Sequence, residues 1–401
     1  MGRYITYNPD QDQLLPASLR EELGEGHLAV FVHRLVERLN LRHFERTSSE
    51  AGRPSYPPQL LLKVWLYAYT QGITSSRRIE QRIQEDLGFR YLAGQLKPDH
   101  WTLNEFRKRH PKALNDVFTQ VLEAARSLGL AQLGRVAIDS TRVQANASPD
   151  RSQSRDQLRR ERARLRQRIR RWQKQCDQDD TEGGGTQLAA EQWRQRLGEI
   201  PQQLEELRKS AQKRSSSTDP ESRYLRRRGG FVLGYTAEVA VNEQHLIVAQ
   251  RVHRAANDAG ALAPMAELIE QECGSPPEAV LADSGYYSMP QITMVSQRGI
   301  DVLVPDVWSA AAMAHGGQVK EMNRRERRRF PGLYEWRELF RDPAVRAAYA
   351  PRKHIVEPVF GVLKQQRGMR QFRTRGLDRV STEWALATTA FNLTRLFRLR
   401  G

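Results

Sequence analysis

Three acidic residues occur where phosphodiester chemistry could use them. Asp139 lies within a short apolar run, Asp283 ends another, and Glu357 stands in a stretch that carries lysines. Two divalent ions about 3.5–4 Å apart can activate a nucleophile and stabilise the leaving oxygen at phosphorus. Mg²⁺ prefers hard oxygen ligands and keeps several waters, so a few carboxylates on a rigid frame suffice. The sequence therefore predicts a Mg²⁺ site at these residues, with Mn²⁺ able to substitute.

Each carboxylate also has an ordinary structural explanation. A buried aspartate is costly unless it is paired or metal-bound, but aspartates at strand ends are also common caps. In a helix, Lys353 and Lys364 lie at −4 and +7 from Glu357 on the same face, which could be a ladder of salt bridges. Pro358 fits best in the first turn of a helix, so Glu357 is expected at or near a helix start.

The two aspartates fall in a region whose pattern predicts a sheet. Short runs rich in β-branched residues and bounded by glycine or polar residues are typical of strands. Helical stretches are predicted before and after the fourth run and beyond the fifth, which gives a mixed α/β sheet. The five predicted strands cover residues 136–143, 231–241, 245–252, 279–285 and 300–305.

Residues 1–130 are predicted to form a helical DNA-binding domain. Short helices with arginine side chains, among them Arg77, Arg78 and Arg107, are typical of helix-turn-helix-like regions. Thr102, three residues before Glu105, is expected to cap one of these helices. The alternative is a helical bundle with a solvated basic face.

A polar segment at residues 150–228 interrupts the predicted sheet. Residues 151–172 contain ten arginines, among them Arg159, Arg160, Arg162 and Arg164. Apolar residues recur there at helical spacing, which predicts an inserted basic helical hairpin with a flexible return through the serine and glycine runs. Phosphate contact is one explanation of the arginines, and a solvated face is the other.

The overall charge also points to an anionic polymer. Lys and Arg number 64 against 47 Asp and Glu, for a net charge of +17, which favours DNA as partner. No apolar run approaches the roughly 18 residues of a membrane-spanning helix. Two cysteines are too few for a disulfide framework, so a reducing cytoplasm is expected. The 401 residues allow two or three domains, at roughly 100–200 residues each.

Seven sequence blocks, in the same order, resemble bacterial insertion-sequence DDE transposases. Three of them hold Asp139, Asp283 and Glu357 and resemble the catalytic blocks of that family. The likeness spans about residues 50–400. The blocks are residues 52–58, 75–80, 99–107, 137–141, 234–241, 281–286 and 356–361.

The resemblance implies an RNase H-like catalytic domain over residues 131–401. It assigns the three acids to catalysis and metal binding. It also implies a Tyr-Arg-Glu-Lys type C-terminal signature that binds DNA. Tyr349 and Lys364 fit that signature, while Arg352 and Lys353 compete for its basic position. A homodimer is expected, because two DNA ends must be joined. A stand-alone nuclease of the same fold and a catalytically retired repressor remain alternatives.

Overall fold

The computed structural model describes residues 18–45, 55–176, 184–209, 212–227 and 229–400. Residues 52–54 of the first transposase-like block therefore lie outside the described part. So does Gly183, at which the inserted hairpin was expected to turn.

The N-terminal part of the described chain is helical, as its pattern predicts. Pro58 begins the N-terminal helix with the most buried side chains, at a position where its missing N–H costs nothing. Trp65 of that helix is fully buried. The helices are α1 (Leu19–Leu23), α2 (Leu28–Val36), α3 (Arg42–Glu45), α4 (Pro58–Thr70), α5 (Ser76–Glu85), α6 (Leu87–Leu92), α7 (His100–Arg109) and α8 (Pro111–Ser127).

The remaining elements are both strands and helices, together with a 3₁₀ turn at Ser284–Tyr286 and a π-helical turn at Val362–Gln366. In chain order they are β1 (Arg135–Gln144), β2 (Ser152–Ser154), α9 (Arg155–Cys176), α10 (Gly184–Lys209), β3 (Arg214–Ser216), β4 (Arg223–Arg227), β5 (Gly230–Asn242), β6 (Ile247–His253), α11 (Leu262–Cys273), β7 (Ala279–Leu281), α12 (Met289–Ser296), β8 (Asp301–Leu303), α13 (Val307–Ala314), α14 (Arg324–Arg329), α15 (Pro331–Leu339), α16 (Pro343–Tyr349), α17 (Arg352–Gly361) and α18 (Leu377–Leu399).

The main sheet is mixed. β5 pairs antiparallel with β1 on one edge, and on the other its two halves pair with β4 and β6. On its far side β1 runs parallel to β7, and β7 runs parallel to β8. Each of the five predicted strands has a counterpart in this sheet, so the expected mixed α/β architecture is present.

A single apolar core connects the N-terminal helices with the sheet. α18 packs against β6 on one side and against α4 and α8 on the other. Its Trp384 is fully buried, and the indole N–H donates to the carbonyl of Glu238 on β5. The N-terminal helices therefore depend on the sheet region for part of their burial.

The inserted helices α9 and α10 pack against each other with opposite directions. Arg155 at the start of α9 contacts the carbonyl of Leu207 near the end of α10, and Glu161 pairs with Arg196 between them. A small separate cluster of apolar side chains lies along this contact, and Leu158 is fully buried in it. The contact makes these helices a unit with its own small core.

Within the described residues, the return from α10 contains two short strands, where its serine and glycine runs predicted a flexible segment. β3 pairs antiparallel with β2, and β4 pairs antiparallel with β5. Ladder hydrogen bonds use the backbone, which polar residues supply as well as apolar ones. Ser216 is fully buried within this part. The composition therefore gave a wrong expectation here.

Candidate active site

The sheet brings Asp139 and Asp283 together at one edge. β1 and β7 are parallel neighbours, and their last paired residues are Ala137 and Leu281. Asp283 lies two residues beyond that pair, just after the end of β7, and Asp139 holds the corresponding position within β1, which continues to Gln144. The expected proximity of these two residues follows from the register alone.

Backbone N–H groups orient both carboxylates. The N–H of Ser140 donates to Asp139 Oδ1 at 2.8 Å. Asp283 caps the 3₁₀ turn, and its Oδ1 accepts from the N–H of Gly285 at 2.9 Å. Asp139 is only 21% exposed through its side chain. One oxygen of each carboxylate is thus fixed by its own backbone.

Burial has the largest influence on the pKa of Asp139. Burial, followed by repulsion from Asp283, raises the pKa of Asp139 to about 6. Arg352 opposes this shift, because its Nη1 lies 3.6 Å from Asp139 Oδ2. Burial and the neighbouring carboxylate therefore disfavour the ionised form of Asp139, and a bound cation would stabilise that form.

Positively charged side chains of α17 and of the segment before it lie beside the two aspartates. α17 packs against β1 and β5. Its first residue, Arg352, is buried, and the guanidinium lies 6.0 Å from the ring centre of Tyr349. Burial raises the pKa of Tyr349. Asp283, Tyr349, Arg352 and Lys353 line one cavity of about 650 Å³, to which Arg346 also contributes.

Lys364 and Glu357 occupy the same helical region, with different surroundings. Burial and the charge of Arg227 lower the pKa of Lys364, whereas the charge of Asp139 raises it. Lys364 therefore lies near both Arg227 and Asp139. Glu357 is exposed and forms no hydrogen bond or ion pair with the residues that the structure describes. The structure thus gathers the two aspartates, Arg352 and Lys364, and leaves Glu357 on the open side of α17.

The helix start predicted at Glu357 is wrong. α17 begins at Arg352 and continues through Pro358. Pro351 ends the preceding segment and provides the N-cap, so the helix is already formed when it reaches Pro358. The proline then removes only one backbone donor from the helix. The predicted cap of α7 also differs from the structure. Asp99, and not Thr102, caps this helix, because its side chain accepts from the N–H of Thr102.

A second acidic group lies beside the first. Ligand atoms of Glu238, His253 and Asp258 fall within 4.8 Å of one another. Arg251 donates to Glu238, and Arg142 contacts both carboxylate oxygens of Asp258 at 3.2 Å. These arginines already neutralise the carboxylates, so the cluster is balanced without a metal ion.

These charged residues were missed by the sequence reasoning. Tyr286, fully buried three residues after Asp283, donates to Glu238 at 2.8 Å. Burial works to raise the pKa of Glu238, but His253 and Arg251 hold it below its usual range. The available signal was a glutamate inside the apolar strand of residues 234–241, because such a residue requires partners.

The arginines expected at the N-terminal DNA-binding surface differ in exposure. Arg77 and Arg78 are exposed on α5. Arg107 is buried, with its guanidinium 4.6 Å from the centre of the Trp65 ring and 3.2 Å from the Tyr69 hydroxyl. Its side chain stabilises the helical core and is not presented to a ligand.

The arginines of the insertion lie mostly in solvent. Arg159, Arg160 and Arg164 are exposed on α9, and Arg162 is partly buried. The nearest acid to Arg159 is Asp156, at 3.8 Å, in an exposed pair of little energetic weight. This face of α9 therefore offers free positive charge to an anionic partner.

Comparison with known proteins identifies the family. A model described as "Transposase domain (DUF772)" matches residues 17–109, and the "Transposase DDE domain" model matches residues 130–393. No curated protein matches the chain. Within the described residues, no helix is long and apolar enough to cross a membrane. Because the second match covers more than half of the chain, the protein belongs to the family of transposases with a DDE domain.

Proposed function

We propose that this transposase cuts DNA at the ends of its insertion sequence and joins the freed 3′ ends to target DNA. The observation that carries the proposal is that Asp139 within β1 and Asp283 just after β7 hold corresponding positions on adjacent parallel strands, with Arg352 against Asp139. Both reactions are in-line displacements at phosphorus, so one site can serve both.

Asp139, Asp283 and Glu357 are proposed to hold divalent metal ions, Mg²⁺ or Mn²⁺, which DDE transposases generally use. Hard carboxylate oxygens suit such ions, and a bound cation would stabilise the ionised form of Asp139, whose pKa is raised by burial and by repulsion from Asp283. When bound, the ions would polarise the attacking oxygen and stabilise the leaving oxygen. In the chain Glu357 lies between Lys353, which lines the Asp283 cavity, and Lys364 of the following π-helical turn, near Asp139.

The neighbouring cations are proposed to position the DNA strand. Nε and Nη1 of Arg352 are buried and have no hydrogen-bond partner among the described residues, although Nη1 lies 3.6 Å from Asp139 Oδ2. Arg352 also lines the cavity beside Asp283, where we propose that a phosphate oxygen binds. Lys353 and Tyr349 line the cavity beside Asp283, and Lys364 lies on the Asp139 side. Arg352 in addition favours the ionised form of Asp139. On this basis Arg352 takes the basic position of the Tyr-Arg-Glu-Lys signature.

The fold proposed for residues 131–401 is RNase H-like, with residues 150–228 as an inserted helical hairpin. The support is the order β6, β5, β1, β7, β8, in which an antiparallel trio is followed by two parallel strands. The packing of α9 against α10 supports the hairpin. Residues 1–130 form the proposed helical DNA-binding domain, although its core continues into that of the sheet.

Arg77 and Arg78 on α5 are proposed to contact the element's end, and the exposed arginines of α9 to contact phosphate. Arginine can pair bidentately with guanine in the major groove, while contacts to phosphate carry no direct sequence information. We further propose that the protein acts as a homodimer in the cytoplasm, because two DNA ends must be held together.

The test uses the full chain with DNA that carries the terminal repeats flanking its gene. We expect Asp139→Asn, Asp283→Asn and Glu357→Gln each to abolish metal-dependent cleavage and to leave DNA binding intact, because each removes one oxygen ligand. Any variant that keeps near-normal cleavage identifies a residue without a catalytic role.

Supplying ends that already have a free 3′-hydroxyl separates the alternatives. Joining of these ends to a target plasmid is expected for a transposase. A stand-alone nuclease would cut but not join, and a retired repressor would bind without doing either.

A further inference from the structure

We propose that the hairpin of β4 and β5 is a platform on which an unpaired nucleotide of the DNA strand stacks, next to the catalytic carboxylates. This inference rests on the proposed function, since it assigns a position to the DNA substrate of that site. Phe231 is the aromatic surface, and it is 75% exposed. Arg226 lies directly opposite Phe231 in the ladder, and cross-strand neighbours of this kind share one face.

The hairpin forms one wall of a cavity of about 630 Å³. The opposite wall contains Arg142, Asp258 and Gly285. A Cβ atom placed at Gly285 would lie 3.0 Å from Asp283 Oδ1 and 3.8 Å from Asp258 Oδ2. The cavity thus reaches the turn that carries Asp283, and glycine keeps that end of it open.

The charge around this cavity suits a phosphate-bearing ligand. Arg226 and Arg227 are exposed, and neither forms an ion pair within the described part of the chain. Arg227 is close enough to Lys364 to lower the pKa of that lysine, and Lys364 in turn interacts with Asp139. Positive charge therefore extends from the hairpin to the carboxylates, along the path that a DNA backbone would need.

The combination of an aromatic face with guanidinium groups selects a nucleotide among anionic ligands. Base–aromatic stacking tolerates any sequence, because every base has a π-face. Within an intact duplex both faces of a base are covered by its neighbours, so only an unpaired or displaced base can reach Phe231. A cavity of this size is within the range of small-molecule sites, which is enough for one nucleotide.

The experiment uses the full chain and two DNA probes, a blunt duplex and the same duplex with a short oligo-dT overhang. A fluorescent base analogue in the overhang reports stacking. Phe231→Ala is expected to weaken binding of the overhang probe about 5- to 150-fold and to remove the fluorescence change. Binding of the blunt duplex is expected to be unchanged. Phe231→Trp should restore both signals.

Leu128→Ala is the matched control, because Leu128 is 69% exposed and follows α8 outside this cavity. An overhang affinity in Phe231→Ala equal to that of the parent, or an equal loss for both probes, would overturn the platform. These outcomes do not depend on cleavage. If Asp283→Asn loses cleavage while Phe231→Ala keeps normal stacking, the proposed function stands and only the platform is rejected.

Discussion

Arginine has two different environments in this transposase. Arg352 is 6% exposed and lies between Tyr349 and the carboxylate of Asp139. Arg159 on α9 has most of its side chain in water and only a distant exposed acid beside it. The role of each positive charge therefore depends on its burial. The buried arginine influences the ionisation of a neighbouring acid, whereas the exposed one is available to bind a polyanion such as DNA.

The largest effect is expected from the buried arginine. In Arg352→Gln, Asp139 keeps its burial and its repulsion from Asp283 but loses the opposing cation, so its pKa should rise above the present value of about 6. Loss of a close opposite charge is expected to move it by about one to three pH units. Because metal binding requires the ionised carboxylate, the pH midpoint of cleavage should increase by a similar amount.

Lys353→Gln is the matched control for that variant, since it removes a positive charge one residue further along the same helix. Lys353 is exposed, and Asp139 has no direct contact with it within the described residues. Its pH midpoint should stay close to that of the parent. Equal midpoints in the two variants would show that Arg352 does not control the ionisation of Asp139.

The exposed arginines are expected to change affinity and not the pH profile. Replacing Arg159, Arg160 and Arg164 with glutamine should flatten the plot of log affinity against log salt by about 0.9 per lost phosphate contact on duplex DNA. The same change at Arg379 and Arg398, which are exposed on α18, is the control. A slope unaffected by the α9 changes would mean that this face is a solvated or dimerising surface.

The smallest effects are expected from arginines of the N-terminal helices, where the buried Arg107 and the exposed Arg77 and Arg78 should differ. Arg107→Met should lower the free energy of unfolding by about 1–3 kcal/mol, because it removes a cation–π contact and leaves the Tyr69 hydroxyl without its partner. Arg77→Gln with Arg78→Gln should change it by less than about 0.5 kcal/mol. The double variant should instead lose preference for the element's end over random DNA. Normal preference in that variant would remove α5 from the recognition surface.

The sequence predicted those parts of the fold that depend on apolar patterning. The runs around Asp139 and Asp283 are short and β-branched, and strands form there because their side chains are buried on both faces. The corresponding positions of the two aspartates on β1 and after β7 then follow from the parallel pairing.

Features that depend on tertiary partners were not accessible in this way. The strand β4 is polar and is held by backbone pairing to β5. Arg107 and Arg77 look equivalent in the sequence, and only the presence of Trp65 and Tyr69 across the bundle distinguishes them. The contacts of Asp258 with Arg142 likewise join residues far apart in the chain.

Direct Mn²⁺ binding measures whether Asp139 and Asp283 form the metal site. Free Mn²⁺ can be followed by electron paramagnetic resonance in the presence of the full-length protein above pH 7, where Asp139 is ionised. We expect Asp139→Asn and Asp283→Asn to lose Mn²⁺ binding, while His253→Gln, in the neighbouring acidic group, keeps it. Loss of binding in His253→Gln with full binding in Asp283→Asn would reject this assignment and move the metal site to Glu238, His253 and Asp258.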